Sequence, residues 1–316
     1  MSDNIVMKQT MRNLSDAFMG KLSLKKDRVF APLVKAVQQD KDLNMELRGF
    51  YDPNKLGKAP SNEYINVYFK GNNILKLYRS GVMDIASKFI TGCTSMPKSL
   101  KNEQDVQTYL SCLPAIKHNV STLGKASMEI EYEQLLVRAN NMEPRNNTEY
   151  IIVDRQYAVG RDRWDLIAVK WPRMNRGFEP PKGQLAIIEV KYALNNDISR
   201  ASGQVERYYR YLSNNIDSIC TEIESVLKQK IKLGLINRTP QQINKLNKLS
   251  LSRSQDDIEI VLFLIDYNPY STLVKPAIEE LKKLPFSEQV RIIFGGLAMW
   301  DKSSKLLNEV TTKSGA

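Results

Sequence analysis

Three residues in the second half of the chain have the types and spacing for chemistry on a phosphate: Asp165 in RWDLIAV, and Glu189 and Lys191 in AIIEVKY. Side chains alternate faces along a strand, so Glu189 and Lys191 point together while Ile188 and Val190 point to the opposite, packed side. Two opposite charges therefore share one face of a run that reads as a central strand, where charge is costly unless it is used. Asp165 heads the preceding strand of a hairpin and can sit beside them. The two carboxylates supply hard oxygen ligands suited to magnesium. Such a cation neutralises charge on a phosphate and lowers the pKa of a bound water from roughly 15.7 towards about 7. Lys191 would orient that water or stabilise negative charge as it develops. To act as a base, its pKa of about 10.4 must first fall, a direction that an adjacent metal favours.

Those residues need a scaffold, and the flanking sequence supplies one. A helix is expected near 125–141, KASMEIEYEQLLVRANN, with Met128, Tyr132, Leu135 and Leu136 as an apolar stripe. Three strand-like runs follow: EYIIVDRQYAV, RWDLIAVKW and, after a Pro/Gly-rich hairpin connection, QLAIIEVKYAL. A long helical stretch over about 199–231 leads to IEIVLFLIDY as a buried strand, TLVKPAIEELKKL as a helix and VRIIFGGLAMW as a further strand. The order α-β-β-β-α-β-α-β predicts an α/β protein with a mixed central sheet flanked by helices, not a barrel or a bundle.

An Asp followed about 20 residues later by Glu-x-Lys on a hydrophobic strand, within that order of elements, resembles the PD-(D/E)xK nuclease superfamily. The resemblance implies a restriction-endonuclease-like fold with an αβββαβ core and magnesium-dependent cleavage, manganese being a possible substitute. It implies catalytic roles for Asp165, Glu189 and Lys191. One departure is that Trp164, not Pro, precedes the Asp. Downstream, Gln204-Val-Glu-Arg-Tyr208 has the form QxxxY, similar to a motif of the RecB-like branch that contacts the active site or nucleic acid; the i, i+4 spacing puts both side chains on one helix face. Many members carry a metal-binding Glu on the first core helix. Here MEIEYEQLL offers Glu129, Glu131 and Glu133; the first and last share a face, and Glu133, next to an aromatic and ahead of an apolar pair, is the first choice. The implied metal ligands are thus Glu133, Asp165 and Glu189, with Gln204 and Tyr208 assisting. A lone E-x-K is commonly a surface ion pair; four elements in the proper order carry the resemblance. It covers roughly residues 120–300.

The N-terminal third holds no chemical motif. Residues 1 to about 45 read as helical, with Val29, Phe30, Leu33, Val34 and Val37 on one face; 63–79 reads as a hairpin around Gly-Asn-Asn; 80–120 is mixed and partly helical. The expected organisation is an α+β region over 1–120, available for a homodimer or a protein partner, and a nuclease domain over 121–316.

Composition agrees with a folded enzyme acting on a polyanion. The chain has 316 residues, 42% hydrophobic and 26% charged, with a formal net charge of +11. That charge makes nucleic acid the leading partner, through steering and counterion release, with a Lys-rich solvated surface as the other reading; the nuclease resemblance puts DNA ahead of RNA. Three scattered cysteines, Cys93, Cys112 and Cys220, indicate neither a disulfide framework nor a zinc site. With no apolar leader and no long apolar run, a cytoplasmic protein without a membrane span is expected. His118 is the only histidine and sits beside Lys117 in a polar stretch, which disfavours Ser/His/Asp and Cys/His catalysis. No GxGxxG or GKS/GKT phosphate loop is present. Asp154 and Asp162 are alternatives to Asp165. Tyr208, Tyr209 and Tyr211 can stack on bases or pack in the core. The basic segment 228–256 can touch a phosphate backbone or form a solvated excursion. Two rival readings are a nucleic-acid-binding protein that keeps the fold without catalysis, and a scaffold in which Glu189 and Lys191 form a structural ion pair.

Overall fold

The β-rich runs pair into two sheets in a computed structural model that describes residues 12–24, 28–49, 63–125, 127–159, 162–192 and 196–299. Along the chain come α1 (Asp16–Leu22), α2 (Ala31–Gln39), β1 (Leu43–Arg48), a hairpin of β2 (Tyr64–Phe69) and β3 (Asn72–Tyr78), the short β4 (Met83–Asp84) and α3 (Glu103–Leu123). Then follow α4 (Met128–Val137), the meander β5 (Tyr150–Val159), β6 (Asp162–Lys170) and β7 (Lys182–Tyr192), and the long α5 (Ala201–Lys232). The chain continues through α6 (Pro240–Leu246), β8 (Ser250–Leu251), β9 (Glu259–Ile265), α7 (Val274–Lys282) and β10 (Val290–Gly295).

The first sheet is antiparallel in the order β1-β2-β3-β4; the second runs β10-β9-β7-β6-β5, with β8 beside the start of β7. Hairpin connections make β5, β6 and β7 antiparallel. Strands β9 and β10 run parallel to β7, so each needs a crossover, and α5 and α7 lie on those crossovers. The architecture is mixed α/β.

Alternation in the strands explains the layers. Ile187, Leu262 and Leu264 face a large core shared with Leu212 of α5 and with Phe18, Leu33, Leu47 and Leu75 of the N-terminal elements. Leu166, Ile188, Val190 and Val261 face a smaller cluster against Val137, Tyr132 and Leu136 of α4. Charge also crosses between the two sheets inside the protein. Asp154 on β5 pairs with Arg12 at 3.3 Å and with Arg48 of β1, while Glu46 of β1 meets Lys230 of α5 at 2.7 Å.

Three expectations need correction. Residues 1–11 and 25–27 lie outside the described residues, and the described residues before 45 are not helical throughout: two short helices are followed by β1, all six of whose residues are buried. The turn of the β2–β3 hairpin is Lys70–Gly71, with φ of 45° and 73°, so Asn72 and Asn73 open β3. A Cβ at Gly71 would lie 2.2 Å from Ile130 Cγ2, so α4 also requires glycine there. On α4 the apolar stripe is wrong at two positions, because Met128 and Leu135 are 46% and 49% exposed while Glu133 and Gln134 are buried. Gln134 Oε1 accepts the Gly71 N–H at 2.7 Å and so anchors the hairpin turn, which decides the burial against hydropathy.

Candidate active site where β6 leaves β7

The β6–β7 ladder ends at Leu166 and Ile188, whereas β6 stays paired with β5 as far as Asp162. Past that point β7 lacks its neighbour, and the buried Val190 N–H donates instead to Asp165 Oδ2 at 2.9 Å. Continuing the register places Asp165 opposite Glu189. Glu189 is 1% exposed and Lys191 7%, and Lys191 Nζ donates to Glu189 Oε1 at 2.6 Å. The other oxygen, Glu189 Oε2, is buried and accepts no well-aligned hydrogen bond among the described residues, although the Tyr208 hydroxyl lies within interacting reach of this carboxylate.

Burial raises the Glu189 pKa to about 7; Asp165 adds to the rise and Lys191 opposes it. Asp165 is raised too, by burial, against the Val190 N–H and the Lys191 charge. Burial presses against the charge on Lys191, yet Glu189, Asp165 and Glu129 hold its pKa above the usual lysine value. Lys191 is therefore a charged donor in this arrangement rather than a base.

Helix α4 brings two carboxylates to the same opening. Glu129 Oε1 accepts the Tyr192 N–H at 2.9 Å. Glu133 takes Arg155 at 3.1 Å and Gln156 Nε2 at 2.7 Å, and burial lifts its pKa to about 7, with Arg155 opposing and Asp165 adding. Both helix residues thus border Asp165, one on each turn.

Helix α5 covers the other side. The Tyr208 hydroxyl donates to Arg163 O at 3.1 Å, and its pKa rises through burial and the nearby Glu189 and Asp165 carboxylates. One turn earlier, Gln204 Oε1 is buried without a partner among the described residues. Trp164, where the resemblance would have proline, lies 5.4 Å from the Tyr157 ring and 5.8 Å from that of Tyr208, anchoring β6 to α5. Tyr209 stacks on Phe286 at 3.9 Å, and Tyr211 meets Trp164 edge-on, so both are partly used in packing.

The alternative carboxylates lie elsewhere: Asp154 belongs to the ion network with Arg12 and Arg48, and Asp162 pairs with Arg207 at 3.2 Å. His118 is exposed on α3. Sequence reasoning missed Gln156. Its Nε2 lies between Glu133 Oε1 at 2.7 Å and Asp165 Oδ1 at 3.4 Å, from a backbone with φ of 51°. A lone Gln in a strand pattern carries no signal of that role.

Among the described residues, no three His, Cys, Asp or Glu side chains stand grouped as a ready ligand set. Magnesium, however, keeps several waters and is commonly held by one or two protein carboxylates. Asp165 and Glu189 fit that demand, and Glu189 Oε2, which accepts no well-aligned hydrogen bond among the described residues, could ligate the cation with only the Tyr208 hydroxyl to displace. Glu133 would first have to give up Arg155 and Gln156. Compared with known protein families, curated proteins and solved structures, the chain finds no match.

Proposed function

We propose that this protein is a magnesium- or manganese-dependent nuclease of the PD-(D/E)xK superfamily, hydrolysing phosphodiester bonds in DNA as an endonuclease. The observation that carries the reading is Glu189: a buried carboxylate with one oxygen on Lys191 and the other held by no well-aligned hydrogen bond among the described residues, beside the Tyr208 hydroxyl and opposite Asp165 where two strands part. The succession α4-β5-β6-β7-α5-β9 supports it, since it follows the αβββαβ order of a restriction-endonuclease-like core.

Asp165 and Glu189 would hold the cation, with Glu129 or Glu133 from α4 as the third carboxylate. The metal would supply charge neutralisation at the phosphate and a more acidic water. Lys191 keeps a proton and donates it as a hydrogen bond to a phosphate oxygen or to the attacking water. Tyr208 would set its hydroxyl against Glu189, and Gln204, one turn earlier on α5, would assist. The excess of 46 Lys and Arg over 35 Asp and Glu attracts the polyanion. The N-terminal region over 1–120 would recognise substrate, a protein partner or a second subunit, and the setting is the cytoplasm.

A second reading is favoured by the 2.6 Å Lys191–Glu189 contact, which can be a structural ion pair in a scaffold. Cleavage of supercoiled plasmid, linear duplex, single-stranded DNA and RNA, with magnesium, manganese or EDTA, separates the two. Metal-dependent cutting lost in Lys191→Ala supports the nuclease and names its substrate. Nucleic acid bound but uncut, or not bound at all, removes it.

A further inference from the structure

Of the cations between 228 and 256, Lys230 is buried against Glu46 and Arg253 pairs with Glu224, whereas Arg238, Lys245 and Lys248 gather with the β6–β7 loop, away from the carboxylate site. Arg238 is 8% exposed, yet among the described residues its guanidinium donates only to neutral oxygens: the carbonyl of Asn140, that of Asn237 at 2.8 Å, that of Asn141 at 3.5 Å and Thr148 Oγ1 at 3.4 Å. Arg176 is half-buried and does the same, donating to Asn147 Oδ1, to Thr148 O at 2.8 Å and to Trp171 O at 3.3 Å. The two guanidiniums meet at Thr148, and among the described residues no carboxylate forms an ion pair with either. Desolvated cations without counter-charge are costly. Burial, together with the Arg176 charge, lowers the Arg238 pKa to about 10.

Four more cations, Arg145, Arg173, Lys182 and Lys248, are exposed around this pair and have no ion-pair partner among the described residues. The segments that carry them are tied together. Gln242 Nε2 donates to Asn147 Oδ1 at 2.8 Å, Lys245 Nζ to Arg176 O at 2.6 Å, and Lys182 registers against Ser250. Fewer carboxylates oppose them: Glu179 lies 3.6 Å from Lys245, Glu149 accepts the Arg173 N–H at 2.7 Å within electrostatic reach of Arg176, and Asp257 lies 3.5 Å from Gln184, two residues past Lys182. Cations outnumber them. Phe178 is 61% exposed on the same loop, with Met174 83% exposed nearby.

This face sits at the start of β7. Glu189 lies seven residues further along that strand, which at about 3.3 Å per residue is a separation of about 23 Å. The carboxylate site and the basic face therefore occupy opposite ends of the sheet. We propose that the face around Arg176 and Arg238 is a second nucleic-acid-binding surface, gripping the phosphates of a single strand while Phe178 stacks on a base. An exposed aromatic among cations suits an unpaired strand, whose bases are free to stack. This inference stands whether or not the carboxylate site cuts.

The test is binding in EDTA, where the carboxylate site cannot act on the strand. Fluorescence anisotropy of a labelled single-stranded DNA of about 20 nucleotides, longer than a typical single-strand site, is read over a range of salt. The variants are Phe178→Ala and the quadruple Arg145→Ser, Arg173→Ser, Lys182→Ser, Lys248→Ser. At about 0.7 per phosphate contact, loss of four contacts flattens the slope of log affinity against log salt by about 3. Phe178→Ala is expected to weaken binding about tenfold with the slope retained. Unchanged affinity and slope in both variants overturns the proposal while leaving the cleavage reading intact. It is also overturned if polyglutamate binds this face and single-stranded DNA does not compete, since the partner is then an acidic protein.

Discussion

Asp165 Oδ2 accepts the Val190 N–H at 2.9 Å, so a side chain on β6 completes the hydrogen bonding of β7 beyond the last ladder pair. The same carboxylate that is proposed to hold a metal therefore also closes the sheet. Asp165→Ala leaves a buried N–H unpaired and is expected to cost about 1–3 kcal/mol. Asp165→Asn keeps an oxygen for that bond and costs less, although both variants lose cleavage. Urea unfolding of the two variants checks this; equal destabilisation would show that the Val190 contact carries no weight.

Lys191 and Glu189 form a buried pair at 2.6 Å. Removing Lys191 alone strands a carboxylate, at a cost of up to about 3 kcal/mol; with the Lys191 charge gone the Glu189 pKa moves above its present value of about 7, so the cost is felt at alkaline pH and is less at acidic pH, where Glu189 carries a proton. The double change Glu189→Gln, Lys191→Met restores most of that stability but no cutting. Denaturant unfolding at two pH values measures the first part, and the expected ranking collapses if the single and double variants melt alike.

Gln156 joins Glu133 and Asp165 from a left-handed backbone position. That conformation is strained for a residue with a Cβ, so Gln156→Gly relieves about 1 kcal/mol of backbone cost while removing the amide. Calorimetric titration with Mn2+ is expected to show affinity reduced about 10- to 100-fold, as when an orienting partner of a ligand is lost. Unaltered Mn2+ affinity would reduce Gln156 to a structural residue.

Glu222 is buried, accepts from the Tyr157 hydroxyl at 2.9 Å and from Arg12 N at 2.6 Å, and has its pKa raised by burial from 4.5 to about 7. A raised carboxyl favours the folded state while protonated. Its contribution is full below about pH 4.5 and is lost as pH rises through about 7, on the order of 1–3 kcal/mol. Glu222→Gln keeps the neutral form at every pH. Unfolding free energies followed from pH 4.5 to 7.5 should therefore decline less in the variant, and parallel curves would refute the assignment.

The strands that carry the site were legible because β5, β6, β7 and β9 have compact apolar runs between turn signals, and Glu189 and Lys191 stand out as charges within one. Strand β1, LNMELR, was not: its Glu46 and Arg48 look like surface residues until Lys230 and Asp154, far away in sequence, are brought against them. The same reason hid the polar burial on α4, where Glu133 and Gln134 are held by Arg155 and by the β2–β3 turn. Long-range pairing of charges leaves no periodic trace. The roles of Gln156 and of the Arg176–Arg238 pair depend on such pairings and became visible only in three dimensions.

The most direct test of the nuclease reading is plasmid cleavage by the wild-type protein and by the Glu189→Gln, Lys191→Met variant, in magnesium or manganese and in EDTA. The wild type is expected to nick or linearise the plasmid only with the metal, and the folded variant is expected to leave it intact. Equal outcomes in EDTA and metal, or cutting that survives in the variant, would contradict that reading.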